Sequence, residues 1–154
     1  MTAIKIYKAK SSDAEDISDC VIALLKELSM GLTIPEPNKV REKCINMLGQ
    51  DKAFHAFLAK NKVGEIIGLL TLHETDALFA SSPFAEIMEF YVVPNYRSKG
   101  IGQKFIRKIE EYAKEMNWSS LTLNAPPLNI SPATVRFYER EGFIHKGPYM
   151  GKKL

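Results

Sequence analysis

At 154 residues the chain is long enough for one domain with a substantial core and too short for two ordinary ones, so a single domain over 1–154 is expected. Apolar residues at 45% and charged residues at 25% are ordinary globular values, and the absence of repeats or low-complexity tracts excludes fibrous, repeat and disordered classes. A net charge of +3 from scattered basic residues is too small for a nucleic-acid footprint, and no apolar stretch reaches membrane-span length. The expectation is a cytoplasmic protein that contacts neither nucleic acid nor membrane.

Residues 3–9 alternate and read as a first strand. Ser12-Asp13-Ala14-Glu15 reads as a capping box ahead of the apolar stripe Ile17, Val21, Leu24, Leu25 and Leu28, a first helix. A loop from Met30 to Pro37 follows. Asn38 is the expected cap of a second helix with Val40, Cys44, Met47 and Leu48 on one side, stopped by Gly49. Cys20 and Cys44 fall on the stripes of these two helices without a metal-type spacing, so reduced core thiols are expected. Ala53–Lys60 and Glu65–His73 are strand-like runs around the hairpin signal Asn61-Lys62-Val63-Gly64. Glu86–Val93 is a fourth strand ended by Pro94, and the next helix carries Phe105, Ile106, Ile109, Tyr112, Ala113 and Met116 on one face. Leu121–Asn124 is a fifth strand, broken by Pro126-Pro127. Ser131-Pro132 opens a fourth helix that ends at Gly142, and Phe143–Lys146 and Tyr149–Leu154 are candidate closing strands around Gly147-Pro148. The result is a mixed α/β sheet of about seven strands with about four helices.

Chemistry concentrates at Arg97-Ser98-Lys99-Gly100-Ile101-Gly102, between the apolar run Ile87–Val93 and the helical stretch that begins at Gln103. A strand that turns through glycines into a helix aims free backbone N–H groups and the positive end of the helix dipole at one point, which is an anion cradle. The spacing fits neither a Walker A loop nor a dinucleotide fingerprint. It is Arg-x-x-Gly-x-Gly. Preceded by Glu-Phe-Tyr-Val-Val-Pro and followed by Arg-Phe-Tyr-Glu-Arg-Glu-Gly-Phe at 136–143, it resembles the signatures of the GNAT family of N-acetyltransferases.

That resemblance implies a GNAT-like fold, splayed between strands four and five, and acetyl-coenzyme A as cosubstrate; His55, His73 and His145 are scattered without a ligand spacing, so no metal is expected. It places the pyrophosphate on Arg97, Ser98, Lys99, Gly100, Ile101, Gly102 and Gln103, and the thioester carbonyl on freed backbone N–H groups near Val92 and Val93. Tyr138 matches the tyrosine that protonates the departing thiolate in many members. An asparagine usually stands seven residues before that tyrosine to hold the pantetheine arm; here the position is Ser131, with Asn129 nearby. The base is open between two glutamates. Alternation along a strand puts Glu86 with Met88 and Phe90, and Glu89 with Ile87 and Tyr91, on opposite faces. Glu86 has the spacing of the histone-modifying members. Glu89 lies nearer the thioester and is preferred. The Arg97 side chain has a structural salt bridge as its alternative role, and His73 is a candidate pocket residue.

The implied reaction is direct acetyl transfer to a primary amine in a ternary complex. Convergence of Glu65, Glu74, Asp76, Glu86 and Glu89 would favour a cationic acceptor such as a polyamine, an aminoglycoside or a protein or peptide amine. A non-catalytic coenzyme A-binding module is the alternative from another class. A homodimer is a candidate assembly.

Overall fold

The structure, a computed structural model, describes residues 3–28 and 33–154. Its elements are β1 (Lys5–Lys8), α1 (Ala14–Glu27), α2 (Pro37–Gln50), β2 (Phe54–Lys60), β3 (Ile66–Thr75), β4 (Phe84–Val92), α3 (Ile101–Glu115), β5 (Leu121–Leu123) and α4 (Pro132–Arg140). One sheet holds the strands in the order β1-β2-β3-β4-β5, antiparallel except for the parallel β4–β5 pair. This is an α/β mixed sheet with five strands where seven were expected. Among the described residues 143–154 contain no strand. Gly147, Pro148 and Gly151 interrupt that stretch, and proline removes a ladder donor.

Helix boundaries differ from the sequence expectations in two places. A short 3₁₀ turn at Ser11–Asp13 precedes α1, and the Lys10 N–H donates to Asp13 Oδ2 at 2.8 Å. The returning carboxylate is therefore Asp13, two residues earlier than the capping-box reading placed it. Pro37 occupies the first turn of α2, where its missing N–H costs nothing, and the helix runs through Gly49 to Gln50. Residues 29–32 of the expected loop lie outside the described residues. Other signals match. Asn61 closes the β2–β3 hairpin, its Oδ1 accepting from the Val63 and Glu65 N–H groups, and its Nδ2 donates to the Tyr96 hydroxyl at 3.0 Å. Gly142, at φ +94°, ends α4, with Phe143 N–H donating to Tyr138 O.

Two apolar layers cover the sheet. On one face Phe57, Leu70, Leu72 and Ile87 pack against Ile101, Phe105, Ile106 and Ile109 of α3, with Phe137 of α4 at the margin. On the other, Ala56, Leu58, Leu69 and Tyr91 meet Ile17 and Cys20 of α1 and Cys44 of α2. Burial pushes the Cys20 thiol up to about 12 and that of Cys44 to about 11, the nearby Glu89 charge adding to the second. Both are free core thiols.

Two irregularities shape the middle of the sheet. Leu72 pairs with Ile87 and Leu70 with Phe90, so two β4 residues, Met88 and Glu89, oppose the single residue Thr71. This is a β-bulge, and it reverses the alternation of β4 along its length. In addition, β5 pairs only with Ala85, Glu86 and Ile87, and from Met88 onward β4 has no partner on that side. The strands part there.

Gly68 of β3 shows how tightly α3 is seated. A Cβ at this position would lie 2.8 Å from Phe105 Cε2 and 3.0 Å from Tyr91 O. Gly68→Ala should destabilise the chain by about 1–3 kcal/mol in urea unfolding, as for other overpacked cores.

Candidate active site

The turn before α3 is built from backbone. Gly100 caps the helix at φ +81°, and Ser98 is also left-handed at φ +59°. The first helical bond runs from Lys104 N–H to Gly100 O, so the N–H groups of Ile101, Gly102 and Gln103 precede it and point out of the helix end. Gly102 serves a second purpose: a Cβ there would stand 3.0 Å from Phe137 Cζ. Its absence lets α4 close against the first turn of α3. The donors, the dipole and the dry aromatic wall beside them fit the pyrophosphate of a coenzyme A.

Donors on β4 follow from the ladder. Val93 N–H donates to Ile67 O at 2.9 Å, so by antiparallel alternation the Tyr91 N–H also faces β3, while those of Phe90 and Val92 face the gap left by β5. Of the two donors expected for a thioester carbonyl, Val92 is free and Val93 is used by the sheet. The Arg97 side chain is turned away from the helix end. Its Nε donates to Val92 O at 2.7 Å, its Nη2 to Glu27 Oε1 at 2.6 Å, and its guanidinium lies over the Tyr91 ring. Arg97 thus ties α1 to the end of β4 in a structural salt bridge. Lys99 lies over the Tyr96 ring.

Tyr138 stands on the α3–α4 side. Its ring is half-buried among Phe90, Phe137 and Phe143, with centroids 6.4, 5.4 and 5.6 Å away. Burial among these rings pushes its phenol up to about 12 from 10.0. Ser131, the N-terminal flank of α4, gives its hydroxyl to Thr134 Oγ1 at 2.7 Å. Asn129 lies in the preceding turn, which Pro127 O closes by accepting from Ile130 and Ser131 N–H.

The glutamates of β4 lie on one face, contrary to simple alternation. Glu86 sits between Ala85 and Ile87, which pack toward α3, so its side chain turns to the α1–α2 side. The bulge reverses the pattern, and Glu89 turns the same way: Thr71 Oγ1 donates to its carboxylate and accepts from its own N–H at 3.1 Å. Glu86 accepts from Asn124 Nδ2 at 3.3 Å and lies opposite His73 in the ladder. His73 Nε2 is 3.1 Å from Asp51 Oδ2, at the end of α2. The Ala53 N–H and His73 hold the Asp51 carboxyl below its usual range. Sequence reasoning missed Asp51, Thr71 and Asn124; the position of Asp51 just past the second helix was the available signal.

The wider acidic set does not converge. Glu65 bonds Asn61 in the hairpin, Glu74 accepts the Trp118 indole N–H on the α3 side, and Asp76 accepts the Ala77 N–H in the loop. A cleft of about 990 Å³ connects the two sides around β5, lined by Glu86, Thr122, Asn124, Tyr138, Glu141 and Phe143 among others. Among the described residues there is no cluster of three or more metal-ligating side chains. Nor is any helix among them long and apolar enough to cross a membrane.

Parted parallel strands stand beside a glycine-capped helix, with the half-buried Tyr138 on one face and the carboxylates of Glu86 and Glu89 on the other. The sequence profile of the Acetyltransferase (GNAT) family matches residues 23–143. The chain belongs to this family and is an acetyl-coenzyme A-dependent N-acetyltransferase. It is 28% identical over 131 residues to a thialysine N-epsilon-acetyltransferase of Mus musculus, covering 80% of this chain and 75% of that one. The ribosomal-protein-alanine N-acetyltransferase of Brucella melitensis biovar Abortus 2308 superposes with a TM-score of 0.79 at 20% identity, over 99% of both chains. An aminoglycoside N-acetyltransferase, AAC(6')-Iy, solved in complex with CoA, superposes at 0.83 and 14% identity, over 100% of this chain and 96% of that one.

The environment of Tyr138 sets a titration. Below pH 10 the phenol is neutral in folded and unfolded chains alike; between 10 and about 12 only the unfolded chain ionises, so this group's contribution to stability is lost as pH rises through that window. Phenolate absorbance should show a late phase near 12 that Tyr138→Phe removes.

Proposed function

We propose that the chain acetylates a cationic small-molecule amine, taking the amine from the α1–α2 face of the sheet and acetyl-coenzyme A from the α3–α4 face. The supporting observation is the bulge opposite Thr71, which brings Glu86 and Glu89 to one face while Tyr138 stands on the other, on either side of the parting of β4 and β5. Asp51, bonded to His73, adds a further carboxylate on the amine side. These carboxylates attract an ammonium group. The thialysine and aminoglycoside relatives are named for acceptors that are amines, which agrees with this class.

Acetyl-coenzyme A, when bound, supplies an activated acetyl group and a thiolate leaving group. The backbone donors of Ser98 to Gln103 hold its pyrophosphate, and the Val92 N–H, with that of Phe90, meets the thioester oxygen. Donors fixed in a sheet cost no reorganisation when charge develops, and one such donor is worth about 3–4 kcal/mol of barrier. Glu86 takes the ammonium proton, directly or through a water. We assign it this role over Glu89 because it lines the cleft with Tyr138, whereas Glu89 is engaged with Thr71. Glu89 positions the bulge. Tyr138 is fully protonated at neutral pH, its phenol lying near 12, and holds the proton that the departing sulfur takes. Asn129 is assigned to the pantetheine arm, since the Ser131 hydroxyl is already spent on Thr134.

Release of free coenzyme A should be measured across polyamines, aminoglycosides, lysine analogues and neutral amines. Di- and polycationic amines should give the highest kcat/KM, and a preference for neutral amines would contradict the acceptor class. Tyr138→Phe should lower kcat more than about tenfold, with acetyl-coenzyme A affinity nearly unchanged. Glu86→Gln should lower kcat/KM about 10²-fold, an effect that Glu89→Gln should not reproduce.

A further inference from the structure

One side chain of β4 breaks the burial pattern of its strand. Ala85, Ile87 and Tyr91 are buried and Phe84, Phe90 and Val92 half-buried, whereas Met88 is 54% exposed although β4 runs inside the sheet. A large apolar side chain left in water on an interior strand is short of an apolar partner. The bulge decides which way it points. Ile87 and Phe90 both pack toward α3, so the two residues between them turn together to the other side, where Glu89 bonds Thr71. Met88 therefore stands on the α1–α2 face with Glu86 and Glu89.

Its place along the strand is equally particular. Ile87 is the last residue of β4 paired with β5, so Met88 is the first residue at the parting. Two residues before it is Glu86, assigned above to the ammonium proton; two residues after it is Phe90, whose N–H faces the gap. At about 3.3 Å per residue, each lies roughly 6–7 Å from Met88. An acceptor nitrogen that meets the thioester near Phe90 and gives its proton to Glu86 thus has Met88 beneath it.

The chemistry of that spot is narrow. A thioether on an unbranched chain adapts to methylenes and has no hydrogen to donate, so it cannot replace the water that a hydroxyl-rich ring would give up over it. Glu86 and Glu89 flank it with negative charge. An apolar spot between carboxylates matches a cation carried on a hydrocarbon chain.

We propose that Met88 selects the acceptor by packing against the methylenes next to the reacting nitrogen, so that the acceptor is a linear aliphatic amine with a second cationic group and not an amino sugar. The inference rests on the placement of the acceptor on the α1–α2 face, and it narrows the acceptor to one class. Met88 moves neither the proton nor the acetyl group, so its contribution falls mainly on binding.

Steady-state kinetics with linear diamines from propane to hexane diamine, each beside its mid-chain hydroxylated analogue, test this. The hydrocarbon diamines should gain about two- to fourfold in kcat/KM per added methylene until the chain passes Met88, and should exceed their hydroxylated analogues about tenfold. Met88→Ala should flatten the length series and raise KM about tenfold, more than it lowers kcat. Met88→Leu should keep the preference, and Met88→Gln, of equal length but polar, should turn it toward the hydroxylated analogues. Calorimetric binding of the same diamines to the chain saturated with coenzyme A should give the same order, with or without turnover. A wild-type chain that prefers the hydroxylated analogues, or a length series that Met88→Ala leaves unchanged, overturns the proposal. Both members of each pair carry the same number of amines, so that failure leaves the cationic-acceptor reading standing. A preference for neutral amines, with no effect of Glu86→Gln, strikes that reading and this inference with it.

Discussion

The two-against-one step in β4, where Met88 and Glu89 face Thr71, is the constraint on which the site depends. It is held by a reciprocal pair: Thr71 Oγ1 donates to the Glu89 carboxylate and accepts from the Glu89 N–H. Without the extra residue, Glu86 and Phe90 would share a face and Glu89 would stand alone. With it, Phe90 packs toward α3 and α4 while both glutamates look toward α1 and α2. The strand becomes a partition, apolar and aromatic on one side and anionic on the other.

The parting of β5 from β4 after Ile87 opens that partition. Parallel pairing lasts three residues, enough to fix the direction of β5 and short enough to leave the Phe90 and Val92 N–H groups without partners. Arg97 fixes the lower end of the strand by bonding Val92 O and Glu27 at once, so that Val92, whose N–H faces the same edge as its carbonyl, is held in place by α1. The glycines of the following turn divide their work. Gly100 supplies the left-handed cap and Gly102 the space for Phe137, and the aromatic wall that results is what raises the Tyr138 phenol.

Much of this was legible in the sequence, for reasons that are local. The Gly100 cap, the Asn61 hairpin, the Pro132 start of α4 and its Gly142 stop are each specified by residues within one turn of one another. The family resemblance was legible because its motifs are contiguous and ordered. What was not legible depends on pairing between distant segments. A bulge exists only relative to a partner strand, so alternation along β4 alone put Glu86 and Glu89 on opposite faces. Arg97 meets a partner 70 residues away, and Asp51 reaches His73 across 22. The acidic residues near β4 looked like one cluster in the chain, yet hairpin geometry sends Glu65 to the far end and alternation sends Glu74 to the other side. The closing strands failed for a local reason: Phe143-Ile144 and Tyr149-Met150 are apolar pairs without alternation, and Gly147, Pro148 and Gly151 interrupt the stretch.

The most direct measurement of the central claim, that backbone donors on either side of the β4–β5 parting hold the acetyl donor, is a backbone amide NMR titration with acetyl-coenzyme A. The largest shifts should fall on Ser98 to Gln103 and on Phe90 and Val92, with the Val93 amide, bonded to Ile67 O, moving little. Shifts concentrated instead in the groove between β1 and α3, around Ile6 and Lys108, with Phe90 and Val92 unmoved, would contradict it.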